Sequence, residues 1–165
     1  MDPTSPEAQA ELARRHKAAA TTVLGLLVAT ILLSVVAFLA KPYFTEQPNN
    51  VIDIAVRIIV LSFGLGAVIW RRTKFQTMRL QDIAGLAGVT GLLKTLEKTT
   101  IQLALFGAAI TSTGFVTTLM TGIAGYTYWT GAIAVIVFIY CYPTRQSWLR
   151  ALYRFTEKPA AESAG

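Results

Sequence analysis

Residues Ala18–Ala40 read AAATTVLGLLVATILLSVVAFLA and contain no charged side chain. A bilayer core is crossed by about 20 predominantly apolar helical residues, with a range of about 17–25. Inside hydrocarbon every backbone N–H and C=O group must pair within its own segment, which favours a helix. The stretch is also longer than the apolar part of a signal peptide, which spans about 7–15 residues. It therefore predicts a retained transmembrane helix.

Three further apolar segments follow, and they occupy residues 51–70, 101–123 and 126–142. The chain has 165 residues, of which 53% are hydrophobic and only 15% charged, whereas a soluble domain has about 25% charged residues. No segment has the alternating pattern of about 10 residues that is typical of barrel strands. We therefore expect an all-α fold, a polytopic integral membrane protein whose four transmembrane helices (18–40, 51–70, 101–123 and 126–142) form two hairpins.

The basic residues are distributed unevenly around these four segments. Every lysine and arginine except Lys41 and Arg57 lies before residue 18, between 71 and 100, or after residue 142. The positive-inside rule assigns such regions to the cytoplasmic side. We therefore expect both termini inside, in a prokaryotic-type inner or plasma membrane. The formal net charge of +6 then reflects membrane topology and anionic lipid at the inner face, and nucleic acid is not needed as a partner.

The N-terminal region, residues 1–17, is expected to be a cytoplasmic helix or tail that precedes the transmembrane domain, 18–142. Thr4 and Glu7 have the spacing of a capping box, which marks the start of a helix. The first helix is therefore expected to begin well before the apolar segment.

The remaining regions are an inner loop and a C-terminal helix. Residues 71–100 are expected to form the inner loop, in which Thr90 caps a helix that continues into the third segment. Residues 143–158 have the pattern of an amphipathic cytoplasmic helix, which lies either on the membrane surface or against the inner loop. Residues 159–165 are expected to be a disordered tail.

Asp53 and Arg57 are the charged residues that lie within the predicted transmembrane segments, and they are four positions apart on one helix face. Charges in a membrane are costly and often functional, so the pair is a candidate ion or proton site at the outer side. The alternative is structural. With Asn50 as the N-cap, Asp53 would stabilise the helix N-terminus and pair with Arg57.

The third segment combines small residues with threonines. Small side chains let membrane helices approach closely, and the hypothesis is a packing interface formed by Ala104, Gly107, Ala108, Ser112 and Gly114. The alternative is that the threonine-rich face lines a path for ions or water. Hydroxyls that bond to their own helix are tolerated in membranes, which favours packing.

Basic residues on the inner side are candidates for contact with lipid headgroups. They are Arg71, Arg72, Arg79, Lys94, Arg150 and Arg154.

The chain contains one cysteine and one histidine, which excludes an internal disulfide, a thiol–disulfide enzyme and a histidine-rich metal site. We expect no catalytic residue, no metal and no cofactor, and therefore no enzyme. The composition favours a non-catalytic accessory or scaffold subunit of a larger membrane complex, with other membrane subunits or further copies of itself as partners. The alternative is an oligomeric channel or transporter with the threonine-rich third helix along its path.

Overall fold

The computed structural model describes residues 5–74 and 77–156, including side chains at all of these except 74, 77–85, 87 and 153–156. Five helices make up nearly all of this part of the chain: α1 (Pro6–Ala40), α2 (Asn50–Lys74), α3 (Thr77–Thr121), α4 (Gly125–Cys141) and α5 (Arg145–Thr156). One 3-10 turn, Lys41–Tyr43, follows α1. No strand occurs within the described ranges, so the predicted all-α class is confirmed. The predicted tail 159–165 lies outside the described residues.

Several helices are compatible with a membrane-embedded protein. Three are long and apolar enough to cross a membrane, namely Pro6–Tyr43, Asn50–Thr73 and Gly88–Thr121. A fourth is added if α4 and α5, which meet at a bend of 40°, count as one broken span. Large apolar side chains cover the outer surfaces of these helices; Leu32, for example, is 58% exposed. A surface of this kind is suited to hydrocarbon rather than water.

Two helices, α1 and α3, are much longer than the hydrocarbon core of a membrane is thick. α1 has 35 residues and is about 52 Å long, against about 30 Å for the hydrocarbon core. It begins at Pro6, well before Ala18 as the sequence predicts. Its N-cap is Ser5, whose hydroxyl accepts a hydrogen bond from the Ala8 backbone N–H at 3.2 Å, and not Thr4. A long part of α1 therefore extends beyond any membrane-spanning segment.

The interval 71–100, expected as an inner loop, is helical over most of its described length. α2 continues to Lys74 and α3 begins at Thr77. Within α3, Gly88 has φ 65° and ψ −168° and interrupts the helical path. This backbone region is accessible essentially only to glycine. The helical path is therefore broken at Gly88 and not at Thr90, the residue expected to cap the helix.

The central helix is α3, which contacts α1, α2, α4 and α5. Its buried side chains recur every three or four residues, a spacing typical of helices packed at small crossing angles. They include Val89, Leu92, Leu93, Leu96, Thr99, Thr100, Leu103, Ala104, Ile110, Thr111, Thr117, Thr118 and Thr121. The main core lies between this face and the other apolar helices, and Phe138 of α4 is its largest fully buried side chain.

One end of the bundle is called here the loop end. There the α1–α2 connection packs against the α3–α4 turn. The Gln47 backbone N–H donates to the Thr121 carbonyl oxygen at 2.8 Å. Gly122 has φ 73°, and a Cβ atom placed on it would lie 2.5 Å from the Thr45 carbonyl oxygen. Only glycine satisfies both the left-handed backbone and this close approach.

The opposite end of the bundle is called here the terminal end. A second hydrophobic cluster, the terminal core, lies there. It joins Ala8, Leu12 and Ala19 of α1 to Val89, Leu92, Leu93 and Leu96 of α3 and to Trp148 and Leu152 of α5. Trp148 is 3% exposed and Leu152 1%. Of the two arrangements expected for the amphipathic helix 143–158, α5 therefore has its apolar face against protein rather than on a membrane surface. The reason is that α1 and α3 extend far enough to cover that face.

Candidate functional site

The small residues proposed as a packing interface do not all lie on one contact surface. Ala104 is fully buried, and Gly107 and Gly114 lie against α4. A Cβ atom on Gly107 would be 2.8 Å from the Phe138 ring, and one on Gly114 would be 1.8 Å from Thr130 Oγ1. Ala108 is half-buried, whereas Ser112 is exposed. The close contact with α4 thus follows a seven-residue spacing, because neighbouring helices meet every two turns.

Hydroxyl groups connect α3 to its neighbours. Thr111 Oγ1 lies 3.1 Å from Thr30 Oγ1 of α1. Thr118 Oγ1 donates to the Ile123 carbonyl oxygen at 3.1 Å and accepts from the Thr127 backbone N–H at 3.2 Å.

Other hydroxyls on α3 bond within their own helix. The hydroxyl of Thr113 donates to Ala109, that of Thr117 to Thr113, and that of Thr121 to Thr117, each to a carbonyl oxygen at 2.8 Å. The hydroxyls of these threonines therefore already have acceptors in their own helix, an arrangement that membrane helices tolerate.

The charged pair on α2 is linked to α4. Asp53 Oδ2 lies 2.9 Å from Arg57 Nε, and Asp53 Oδ1 accepts a hydrogen bond from the Tyr126 hydroxyl at 3.1 Å. The Arg57 side chain is 67% exposed, while Tyr126 is buried. The N-cap of α2 is Asn49, whose Oδ1 accepts from the backbone N–H groups of two following residues, and not the expected Asn50. The carboxylate thus joins two helices at the loop end, and this geometry favours the structural alternative.

The candidate lipid-headgroup residues whose side chains the structure describes fall into two groups. Arg71 donates to the carbonyl oxygen of Tyr140, and its guanidinium carbon lies 4.0 Å from the centre of that ring. Arg72, Lys94 and Arg150 are exposed. The side chains of Arg79 and Arg154 lie outside the described residues.

An ion-pair network that the sequence does not reveal fixes α1 to α3 beside the terminal core. Arg15 Nη1 lies 2.7 Å from Glu97 Oε2, and Arg15 Nε lies 2.6 Å from Glu11 Oε1. Hydrogen bonds from Arg15, and then from Arg14, hold the pKa of the Glu11 carboxyl below its ordinary value. Arg15 and Glu97 are 82 positions apart in sequence, so no local pattern predicts the contact.

His16 is the neighbouring contact on α1. Its Nε2–H donates to the Pro143 carbonyl oxygen at 2.9 Å, and its ring meets Trp148 edge-on with 5.6 Å between ring centres. The single histidine therefore holds the junction between α4 and α5 against α1. The hydrogen bond of His16 and the ion pairs of Arg15 thus add polar contacts that stabilise the terminal core.

Two hollows lie along the surface between α2 and α3, and together they are called the α2–α3 groove below. Its part nearest the terminal end is a hollow of about 360 Å³ lined by Phe63, Trp70, Gln102, Leu105, Phe106 and Ala109. Its part nearest the loop end is a hollow of about 430 Å³, to which Ser112, Thr113 and Thr117 contribute the hydroxyl-bearing side chains. Both are otherwise apolar, as is expected of surfaces that face lipid chains or another helix.

The described part of the chain contains no group of three or more His, Cys, Asp or Glu side chains that could hold a metal ion. Cys141 is buried at the end of α4. The features with defined geometry are therefore the terminal core, the Asp53–Tyr126 contact and the α2–α3 groove. Comparison with known proteins gives no match to a family model, to a curated protein or to a solved structure.

Proposed function

We propose that this chain is a non-catalytic accessory or scaffold subunit of a larger membrane-embedded complex. In this proposal four helices cross a prokaryotic-type inner or plasma membrane as two hairpins, with both termini on the cytoplasmic side. The terminal core then projects from the cytoplasmic face, and the loop end lies outside. The distribution of basic residues supports this orientation, because the exposed Lys17, Lys94, Lys98 and Arg150 belong to the terminal end.

The observation that carries the proposal is the terminal core. A simple membrane anchor does not require a second folded unit, yet in the proposed orientation α1 and α3 extend beyond the membrane, and α5 packs against both of them. The Arg15–Glu97 ion pair and the His16 hydrogen bond brace that unit. A rigid, basic platform of this kind is suited to docking another subunit through complementary charge.

The alternative of an oligomeric channel or transporter has one observation in its favour. Ser112 is exposed and lines the hollow of the α2–α3 groove near the loop end. The threonines that a path would require are, however, engaged in helix packing or bonded to their own helix. A path would therefore have to form between chains, around Ser112, with Arg57 at its mouth.

The test is the composition of the native particle. An affinity-tagged chain is extracted in mild detergent from membranes of its native host, and the particle is analysed by native mass measurement. We expect a heteromeric particle with a fixed stoichiometry. A homo-oligomer that conducts ions in liposomes would support the alternative, and an inert monomer would contradict both.

A charge-reversal variant tests whether the partner subunit docks on the terminal end. Arg150→Glu reverses an exposed charge on α5 and should lower the yield of the heteromeric particle, since the docking surface is basic. Lys41→Glu makes the same change in an exposed residue at the loop end and is the matched control. Equal yields from the two variants would contradict docking through the terminal platform.

A further inference from the structure

We propose that the α2–α3 groove binds an anionic phospholipid from the membrane leaflet nearest the terminal end. The acyl chain occupies the hollow of about 360 Å³, and the headgroup lies beyond Gln102, beside Lys98 and Lys94. This site is independent of the scaffold function, because it requires no protein partner.

The length of the hollow along α3 fits within one leaflet. From Gln102 to Ala109 the axis of α3 rises about 10 Å, and half of a hydrocarbon core is about 15 Å. The walls are aromatic, with the Phe106 ring centre 6.0 Å from that of Phe63 and 6.5 Å from that of Trp70. Aromatic walls give an acyl chain extensive contact.

Gln102 supplies a polar group at the deep edge of the headgroup region. Its side chain is half-buried in the groove, and its amide makes no hydrogen bond to any other described residue. An unsatisfied amide beside hydrocarbon is unfavourable. Phosphate and ester oxygens of a phospholipid are acceptors that would satisfy its N–H groups, whereas a second apolar helix would leave them unpaired.

Positive charge continues from Gln102 along the same face of α3. Lys98 and Lys94 precede Gln102 by one and two helical turns, since residues four apart share a helix face. Both lysines are exposed and form no ion pair within the described residues, whereas the adjacent Glu97 pairs with Arg15. Lysine is depleted in the cores of protein interfaces. An anionic headgroup is therefore a better occupant than a partner helix.

The experiment uses Trp70 as a reporter inside the groove. In the full-length chain, Trp129→Phe and Trp148→Phe remove the other two tryptophans. The protein is reconstituted in vesicles that contain phosphatidylglycerol or phosphatidylcholine with brominated acyl chains, which quench tryptophan fluorescence on contact. We expect stronger quenching by brominated phosphatidylglycerol at equal mole fraction.

Lys94→Gln together with Lys98→Gln should reduce this preference, by up to about fivefold for each lysine. The matched control is Lys17→Gln with Arg145→Gln, which removes two exposed charges elsewhere at the terminal end and should keep the preference. A loss of preference in the control equal to that in the lysine variant would overturn the proposal, because it would indicate general surface charge.

Two further results would also overturn it. Equal quenching by the two lipids in the chain with both lysines would exclude headgroup recognition. Quenching by neither lipid would mean that protein covers the groove. Because the comparison of two lipids needs no lysine variant, it decides the proposal even if that variant fails to fold. Native mass measurement on the unmodified chain gives a second readout, with phosphatidylglycerol expected to remain bound at higher collision energy than phosphatidylcholine.

Discussion

Gly114→Ala tests how closely α3 and α4 approach. A Cβ atom on Gly114 would lie 1.8 Å from Thr130 Oγ1 and 2.7 Å from Thr130 Cβ. Ordinary contacts between such atoms begin at about 3.5 Å, so the two helices must separate by about 1–2 Å. One of the clashing atoms is Thr130 Cβ, and rotation of the Thr130 side chain about χ1 does not move it.

The expected loss of stability follows from this clash. Overpacking a well-packed core costs about 1–3 kcal/mol, while replacing glycine by alanine within a helix contributes about 1 kcal/mol in the opposite direction. We therefore expect Gly114→Ala to reduce the free energy of unfolding by up to about 2 kcal/mol. Separation of the helices would also weaken the contact of Phe138 with Gly107.

The assay is reversible unfolding in mixed detergent micelles, followed by circular dichroism. Gly25→Ala is the control, because a Cβ atom there meets nothing within 4 Å, and it should be neutral or stabilising. In a Thr130→Ala background the cost of Gly114→Ala should fall, since the hydroxyl and methyl group are gone. Equal effects of Gly114→Ala and Gly25→Ala would refute the proposed contact between α3 and α4.

Three further predictions concern the terminal end. Trp148→Ala removes a side chain that is 3% exposed, should cost about 3 kcal/mol or more, and should speed tryptic cleavage within α5; unchanged cleavage would contradict its place in the terminal core. Gly88→Ala introduces a side chain at φ 65°, where no atom of the described residues lies within 4 Å, so backbone strain should cost about 1–3 kcal/mol. A neutral result in thermal unfolding would exclude the left-handed backbone. The lowered pKa of Glu11 means that its contribution to stability is complete above its ordinary pKa and is lost as the pH falls through the lowered value. The melting temperatures of Glu11→Gln and the unchanged chain should therefore differ near neutral pH and converge in acid, and a constant difference would argue against the ion pair.

The length of the apolar segments made the helical class and the membrane-compatible segments predictable from the sequence. Residues 18–40 can satisfy their backbone in hydrocarbon only as a helix, and that requirement does not depend on what surrounds them. The early start of α1 was predictable for the same local reason, since a capping-box spacing marks a helix start, although the N-cap is Ser5 and not Thr4. Features that depend on one segment alone were therefore accessible.

Features that depend on two distant segments were not accessible. The sequence offers a four-residue spacing through Ala104, Ala108 and Ser112 and a seven-residue spacing through Gly107 and Gly114, and nothing local indicates which face meets α4. The partner of Asp53 on α4, Tyr126, is 73 positions away. Likewise, an amphipathic pattern in α5 is the same whether lipid or protein covers the apolar face. The choice was decided by the lengths of α1 and α3.

The terminal core also has a consequence for biosynthesis. Leu12 is translated long before its partners Trp148 and Leu152, which lie on α5. At about 5–20 residues per second, translation separates them by roughly seven to thirty seconds. During that time the start of α1 lacks α5, and a chain that stops before α5 would keep an apolar strip open to chaperones and proteases. Closure of this cluster thus distinguishes a chain that includes α5 from one that is interrupted before it.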